Sequence, residues 1–306
     1  MLSSLHILAQ QYTPGSLNEF NASLYNPAFS GVNGYTDVSV THRQQWIGIK
    51  DAPVVQVFMM NSLLPASGHK RTNISRSPVK GRSKEGLGII IINDGRGAVS
   101  RLNGQINYAH HIKLSSKPDR YKPKPNLSLS MALGIFQLTL DESDLEPLAG
   151  FDPIITYGIE SIFIPYMNFG ALLYSRNYHL GFAVNYLTSK KFTFDDITEP
   201  KDQVPPQMMC SASYTFKLNT DYSLRPSAFV QYNAVDGLLA NIGTQLLYRN
   251  LMLGAAFRSS MEFTTQLGIE LGRYKVAYAY DYATEGIAGF SGGSHEVFFR
   301  VHFGEM

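Results

Sequence analysis

A chain of 306 residues with a formal net charge of +2 is long enough for one large domain or two ordinary ones, and its charge balance excludes a strongly basic nucleic-acid binder. Only 16% of its residues are charged, against roughly 25% in typical soluble domains. The single cysteine, Cys210, forbids an internal disulfide, and no apolar run approaches the roughly 18–20 residues a spanning helix needs.

Taken in chain order, MLSSLHILAQ (1–10) reads as a residual signal-peptide-like segment. Leu5 to Ala9 form the tail of an apolar region, with Ala9 at a plausible cleavage position and no basic region before it. Residues 11–306 read as one domain. Within YNPAFSGVNGY (25–35), Asn26-Pro27 favours a turn because proline pushes the preceding residue out of the α region. Gly31 and Gly34 free the chain to enter the first strand. There Val38 and Val40 share one face, while Ser39, Thr41, Arg43 and Gln45 share the other. Trp46 has the opposite parity and falls at the strand end, where an indole suits a membrane interface.

Period-two alternation then recurs almost everywhere and helical periodicity almost nowhere. Strands are expected to start near residues 35, 53, 86, 99, 127, 163, 178, 210, 224, 238, 251, 263, 274 and 294. The second, third, sixth and eleventh alternate poorly. In YHLGFAVNYL, Tyr178, Leu180, Phe182, Val184 and Tyr186 oppose His179, Gly181, Ala183 and Asn185. In SHEVFFRVHF, Val297, Phe299, Val301 and Phe303 oppose Glu296, Phe298, Arg300 and His302. Many strands reach nine to thirteen residues, whereas globular strands usually have about 5–6. Bilayer-crossing strands need about 9–11, apolar outward and polar inward. The fold class expected is all-β, an antiparallel transmembrane β-barrel of about 14 strands.

Short connections such as SRN and RN alternate with long ones, which places both chain termini at the periplasmic end. At that same end lie two basic links. HKRTNISRSPVKGRSKE carries six Lys/Arg before its first acid, and KLSSKPDRYKPKPN carries five Lys/Arg and one acid. The segment 141–175 holds six acids and no Lys or Arg, and belongs to the opposite end. Like-charge runs are usually solvated loops, but two at one end favour an anionic partner there.

Catalytic and metal signals are weak. His110 and His111 are adjacent and point to opposite faces of a strand, so they cannot chelate one ion. His295 and His302 also differ in parity. NDGRG (93–97) reads as a hairpin turn rather than a phosphate or calcium loop. No Ser-His-Asp or paired-carboxylate spacing stands out, and no cofactor is indicated.

LYNPAFSG (24–31), HRQQWIGIKDAP (42–53), FDPII (151–155) and YDYATEGIAGFSGGSHEVFFRVHF (280–303) together resemble the PorP/SprF family, from about residue 11 to 303. These are outer-membrane barrels of the type IX secretion and gliding-motility apparatus of Bacteroidota. The resemblance implies a non-enzymatic protein of the cell outer membrane, surrounded by outer-membrane lipid, with no nucleic-acid partner. It also implies binding or anchoring of a secreted surface protein or adhesin that bears a type IX C-terminal signal, and contact with periplasmic secretion components. Carried onto the matching positions, Asn26, Pro27, Arg43, Gln45, Trp46, His295 and Glu296 are candidate partner-contact residues. Lys70, Arg71, Arg82, Lys122 and Lys124 are candidates for periplasmic docking. A passive channel or uptake barrel for a small solute, and a lipid-modifying barrel enzyme, stay open as other classes.

Overall fold

Period-two alternation becomes a wall of long antiparallel strands in the computed structural model of the chain, which describes residues 15–64, 84–114, 125–141, 159–187, 205–283, 289 and 291–303. In order these are β1 (Thr36–Gln44), β2 (Val54–Leu63), β3 (Glu85–Arg96), β4 (Val99–Lys113) and β5 (Asn126–Asp141). Next come β6 (Ile159–Tyr174), β7 (Tyr178–Leu187), β8 (Gln207–Tyr214), β9 (Phe216–Lys217) and β10 (Tyr222–Asn233). The wall ends with β11 (Gly237–Tyr248), β12 (Leu251–Arg258), β13 (Glu262–Leu271), β14 (Tyr274–Ala283) and β15 (Ser294–Phe303). Each strand pairs with its sequence neighbours, except that β8 and β9 both pair with β10 and so form one interrupted wall strand. The result is a closed antiparallel barrel of fourteen strands. Its seam joins β1 to β15, with Val38 opposite Val301 and Arg43 opposite Glu296.

The outward face is apolar. Val40, Ile106, Leu133, Leu180, Ile242, Leu267, Val297 and Phe299 are all exposed, Ile242 to 68%. Such a continuous apolar belt would be untenable in water and is favourable in hydrocarbon. At one end, outward aromatic pairs ring the wall: Tyr178 with Tyr214 (6.4 Å), Tyr222 with Tyr248 (4.6 Å) and Tyr274 with Phe299 (6.2 Å). Their amphipathic rings suit the lipid–water boundary. The connections 64–84 and 114–125 leave from this same end, hereafter the basic end. The connections 142–158 and 188–206 leave from the other, hereafter the acidic end. Short turns occur at both: 175–177 and 249–250 at the basic end, 97–98 and 259–261 at the acidic end. The expected sorting of turns by length therefore holds only in part.

Two local departures have physical causes. The hairpin around NDGRG reverses at Gly97-Ala98, because Asp94 is buried and held by Arg96 within β3 at 2.9–3.0 Å. Tyr186 does not join the outward face of β7. A register shift between Met167 and Phe169, with a φ of 59° at Tyr186, turns its ring into the lumen 5.1 Å from that of Tyr166.

Inside the wall lies a feature the alternation did not announce: residues 15–34 fill the lumen rather than extend the wall. Leu17, Phe20, Leu24, Tyr25 and Ala28 are buried there. Leu24 and Tyr25 pack with Val55, Val57, Met59, Ile90, Ile92, Met209 and Phe229, while Leu17 and Phe20 pack with Met252, Ala277 and Phe298. This explains why β2, β3 and β12 alternate poorly. Their inward faces meet an apolar plug instead of water, so they too carry apolar side chains. On β6, Ile164 and Tyr166 face inward against Phe136, forming a third apolar cluster.

Candidate functional site

The plug is short and built from local signals. Leu17, Phe20 and Leu24 recur at helical spacing, and one helical turn, α1, forms over Ala22–Tyr25. Asn26 stops it in an extended conformation, and the Asn26 side chain accepts from the Ala28 N–H (2.9 Å) to cap a 3₁₀ turn over Pro27–Phe29. Proline suits that first position, where its missing N–H costs nothing. Gly31 and Gly34, with φ of 80° and 79°, then turn the chain into β1. Burying side chains the size of Leu17, Phe20 and Leu24 contributes about 1.5–3 kcal/mol each.

A buried ionic network fixes the start of the plug near the acidic end. Arg43 on β1 bridges Asp281 on β14 and Glu296 on β15, each at 2.9 Å. Ser16 completes the set. Its hydroxyl donates to Asp281 (2.6 Å) and accepts from Arg43 (2.6 Å), and its N–H donates to Glu296 (2.7 Å). Its carbonyl accepts from Gln266 (2.8 Å) on β13, and Thr264 donates to Asp281 (2.6 Å). Bonds to charged groups are worth about 1.5–3 kcal/mol each, and a buried charge is tolerable only when so paired.

Farther along, the wall grips the plug backbone. Asn185 donates to the Tyr25 carbonyl (2.8 Å), and Arg300 donates to that of Phe20 (2.6 Å). Asn107 reaches the Ser23 carbonyl (3.3 Å) and the Ser30 hydroxyl (3.2 Å). Asn26 donates in the other direction, to the carbonyls of Ala171 (3.2 Å) and Phe182 (3.3 Å) on β6 and β7. Close approach is possible because the wall is glycine there. A Cβ at Gly86 would stand 2.0 Å from the Ser30 carbonyl oxygen, and one at Gly170 would stand 2.1 Å from Asn26 Oδ1.

Several sequence-predicted residues thus converge on the plug. Arg43 and Glu296 form its ionic latch, and Asn26 and Pro27 shape its body. Gln45 is buried at the end of β1, where its N–H donates to the Pro53 carbonyl (2.9 Å). Trp46 has a φ of 47° and a backbone N–H bonded to Ser294 (3.2 Å). His295 faces the other way, bonded to the Tyr278 hydroxyl (2.5 Å). His110 and His111 do point to opposite faces, the former to Glu85 and the latter to the Ser30 carbonyl (2.9 Å). Lys70, Arg71, Arg82, Lys122 and Lys124, FDPII and residues 1–10 lie outside the described residues. Ser16, Asp281, Asn107 and Asn185 were not singled out from sequence; the inward apolar residues of β2 and β3 were the signal pointing to a plug.

One plug carboxyl gives the site a pH response. Loss of water on burial pushes Glu19 from 4.5 up to about 7, against the pull of Arg225. His179 on β7 stands 4.0 Å away, and Arg176, Arg225 and Arg300 face the same cavity. Since the buried site favours the proton, this contribution to plug docking is fully present below pH of about 4.5 and is lost as pH rises through about 7. Protease cutting within residues 15–34 is expected to be slower at about pH 5 than at about pH 8. Glu19→Gln should flatten that difference, and a wild-type rate equal at both pH values would refute the assignment.

No curated protein matches this chain. Among solved structures, it is similar to the Acinetobacter baumannii outer membrane protein Omp33, with a TM-score of 0.48 and 8% identity over 88% of this chain and 98% of that one. It is similar also to the Ralstonia pickettii toluene transporter TbuX (TM-score 0.47, 10% identity, 92% and 93% covered). The P. putida toluene transporter TodX gives a TM-score of 0.48 at 10% identity, with 94% and 95% covered. The family described as type IX secretion system membrane protein PorP/SprF matches residues 7–301. With its lipid-facing barrel wall and a family match over nearly the whole chain, this outer-membrane protein belongs to the PorP/SprF family of the type IX secretion system.

Proposed function

We propose that this barrel serves type IX secretion as a non-enzymatic docking component, which anchors an exported surface protein at one end and contacts periplasmic machinery at the other. The observation that carries the reading is the plug. A lumen filled by residues 15–34 and latched through Arg43, Asp281 and Glu296 suits a holding element rather than an open pore. Charge supports the division of labour. The basic links 69–84 and 113–124 contain eleven of the chain's 26 Lys/Arg residues and leave from one end, while the acid-rich 141–162 stretch belongs to the other. In this reading the basic end is periplasmic and meets an acidic secretion component, and the acidic end meets the exported adhesin.

Exposed ion pairs are worth only about 0–1 kcal/mol singly, so the test needs several at once. Reversing Lys70, Arg71, Arg82, Lys122 and Lys124 to Glu together is expected to reduce crosslinking to periplasmic components steeply while the barrel still inserts. Undiminished recovery of the same partners would sink the docking role. Surface labelling of Ser77→Cys in intact cells would place the basic end outside and reverse the orientation.

A further inference from the structure

Beside the plug at the basic end, the wall carries a guanidinium whose terminal nitrogens are hydrogen-bonded to none of the described residues and act on the plug only through the field they exert on Glu19. Arg225 points inward from β10 and separates two cavities, of about 210 Å³ and about 410 Å³. The interruption between β8 and β9 falls at Thr215, whose hydroxyl accepts from Arg225 Nε (3.1 Å) and fixes the side chain. The terminal nitrogens have no hydrogen-bond partner among the described residues.

The neighbouring charges are largely matched elsewhere. Glu270 takes Lys275 (3.3 Å), Asp221 takes Arg249 (3.1 Å) and Asp37 lies 3.7 Å from Arg300. Glu19, the plug's own carboxyl, lines the smaller cavity without a direct ion pair to Arg225. What remains is an oriented cation in a space comparable with small-ligand pockets, which typically run to about 300–1,000 Å³.

We propose that Arg225 receives a carboxylate side chain from an acidic polypeptide segment entering the vestibule at the basic end. Charge selects an anion. The room on both sides of the guanidinium, together with the basic links 69–84 and 113–124 at this end, favours an extended acidic chain over a small ion, and those links steer it there. The proposal deepens the docking reading and rests on it for the source of the polypeptide, though not for the chemistry.

The test uses the full chain in detergent micelles and a fluorescein-labelled peptide of alternating Glu and Gly, followed by anisotropy. Binding is expected in the wild type, and Arg225→Gln is expected to weaken it about tenfold or more, as loss of a charge-assisted bond would. Arg225→Lys should recover part of the affinity, and Arg273→Gln should leave it within about twofold because Arg273 is exposed and lines neither cavity. Heat-modifiable migration on gels would show that each variant still forms a barrel. Absence of wild-type binding, equal binding by Arg225→Gln, or complete displacement by an equal concentration of inorganic phosphate would overturn the proposal. Arg225-dependent peptide binding without recovery of any periplasmic partner would instead leave this site standing and refute the docking reading.

Discussion

Replacing Arg43 by methionine is expected to lower the unfolding free energy by about 3–5 kcal/mol, the usual cost of removing one partner from a buried ionic cluster. Arg43 is 3% exposed, and its loss leaves Asp281 and Glu296 buried without the cation they share. Ser16 would lose its bond to the guanidinium as well, so the start of the plug should come free before the wall does. Trp46 is the chain's single tryptophan and lies just beyond β1, making denaturant titration by its fluorescence a direct readout. Adding Asp281→Asn and Glu296→Gln to Arg43→Met removes the stranded charges, and should restore most of the loss because replacing a whole buried cluster is often nearly neutral. An unchanged midpoint for Arg43→Met alone would show that the latch contributes nothing.

Gly86→Val is expected to expel the plug from its seat and convert a closed barrel into a conducting one. The new Cβ would stand 2.0 Å from the Ser30 carbonyl oxygen and 2.7 Å from its carbon, and both atoms are backbone. Overpacking costs about 1–3 kcal/mol where side chains can move aside; here none can, so the plug segment must shift. Gly104→Val is the matched control on the adjoining strand, since a Cβ at Gly104 meets nothing within 4 Å. In planar bilayers, wild type and Gly104→Val should stay near baseline while Gly86→Val shows stepwise current. Pore-sized currents from the wild type would refute a plugged lumen.

The wall was legible because lipid on one side and a polar interior on the other impose a two-residue period on most of its length. Thr36 and Ser294 begin strands within a residue of expectation, whereas β6 starts at Ile159, four residues early, within a stretch whose alternation is weak. The site was legible only as motifs. Arg43 and Glu296 each read as a charge on an inward face, yet nothing local to either says that they meet across the seam. Asn26-Pro27 read correctly as a turn, but turns occur in loops and plugs alike. The plug itself could be inferred only from the strands that failed to alternate, and Val55, Val57, Met59 and Ile90 are the residues that spoil the pattern because they touch it.

The seam between β1 and β15 has a consequence for how the barrel forms. Its pairing joins the two ends of the chain, and the Arg43–Glu296 contact spans 253 residues in sequence. Contacts of such separation are late and slow, because most of the chain's freedom is surrendered before they contribute. A slip of one residue at this closing step would turn every side chain of β1 to the other face of the wall. Arg43, near the end of β1, would then face lipid close to the interface, where the charge itself costs only about 0–1 kcal/mol, but Asp281 and Glu296 would be left buried without it. Ser16, at the start of the plug that precedes β1, binds residues from β1, β14 and β15 at once. The amino-terminal segment therefore acts as a gauge for ring closure: the last strand satisfies it in one register and in no other.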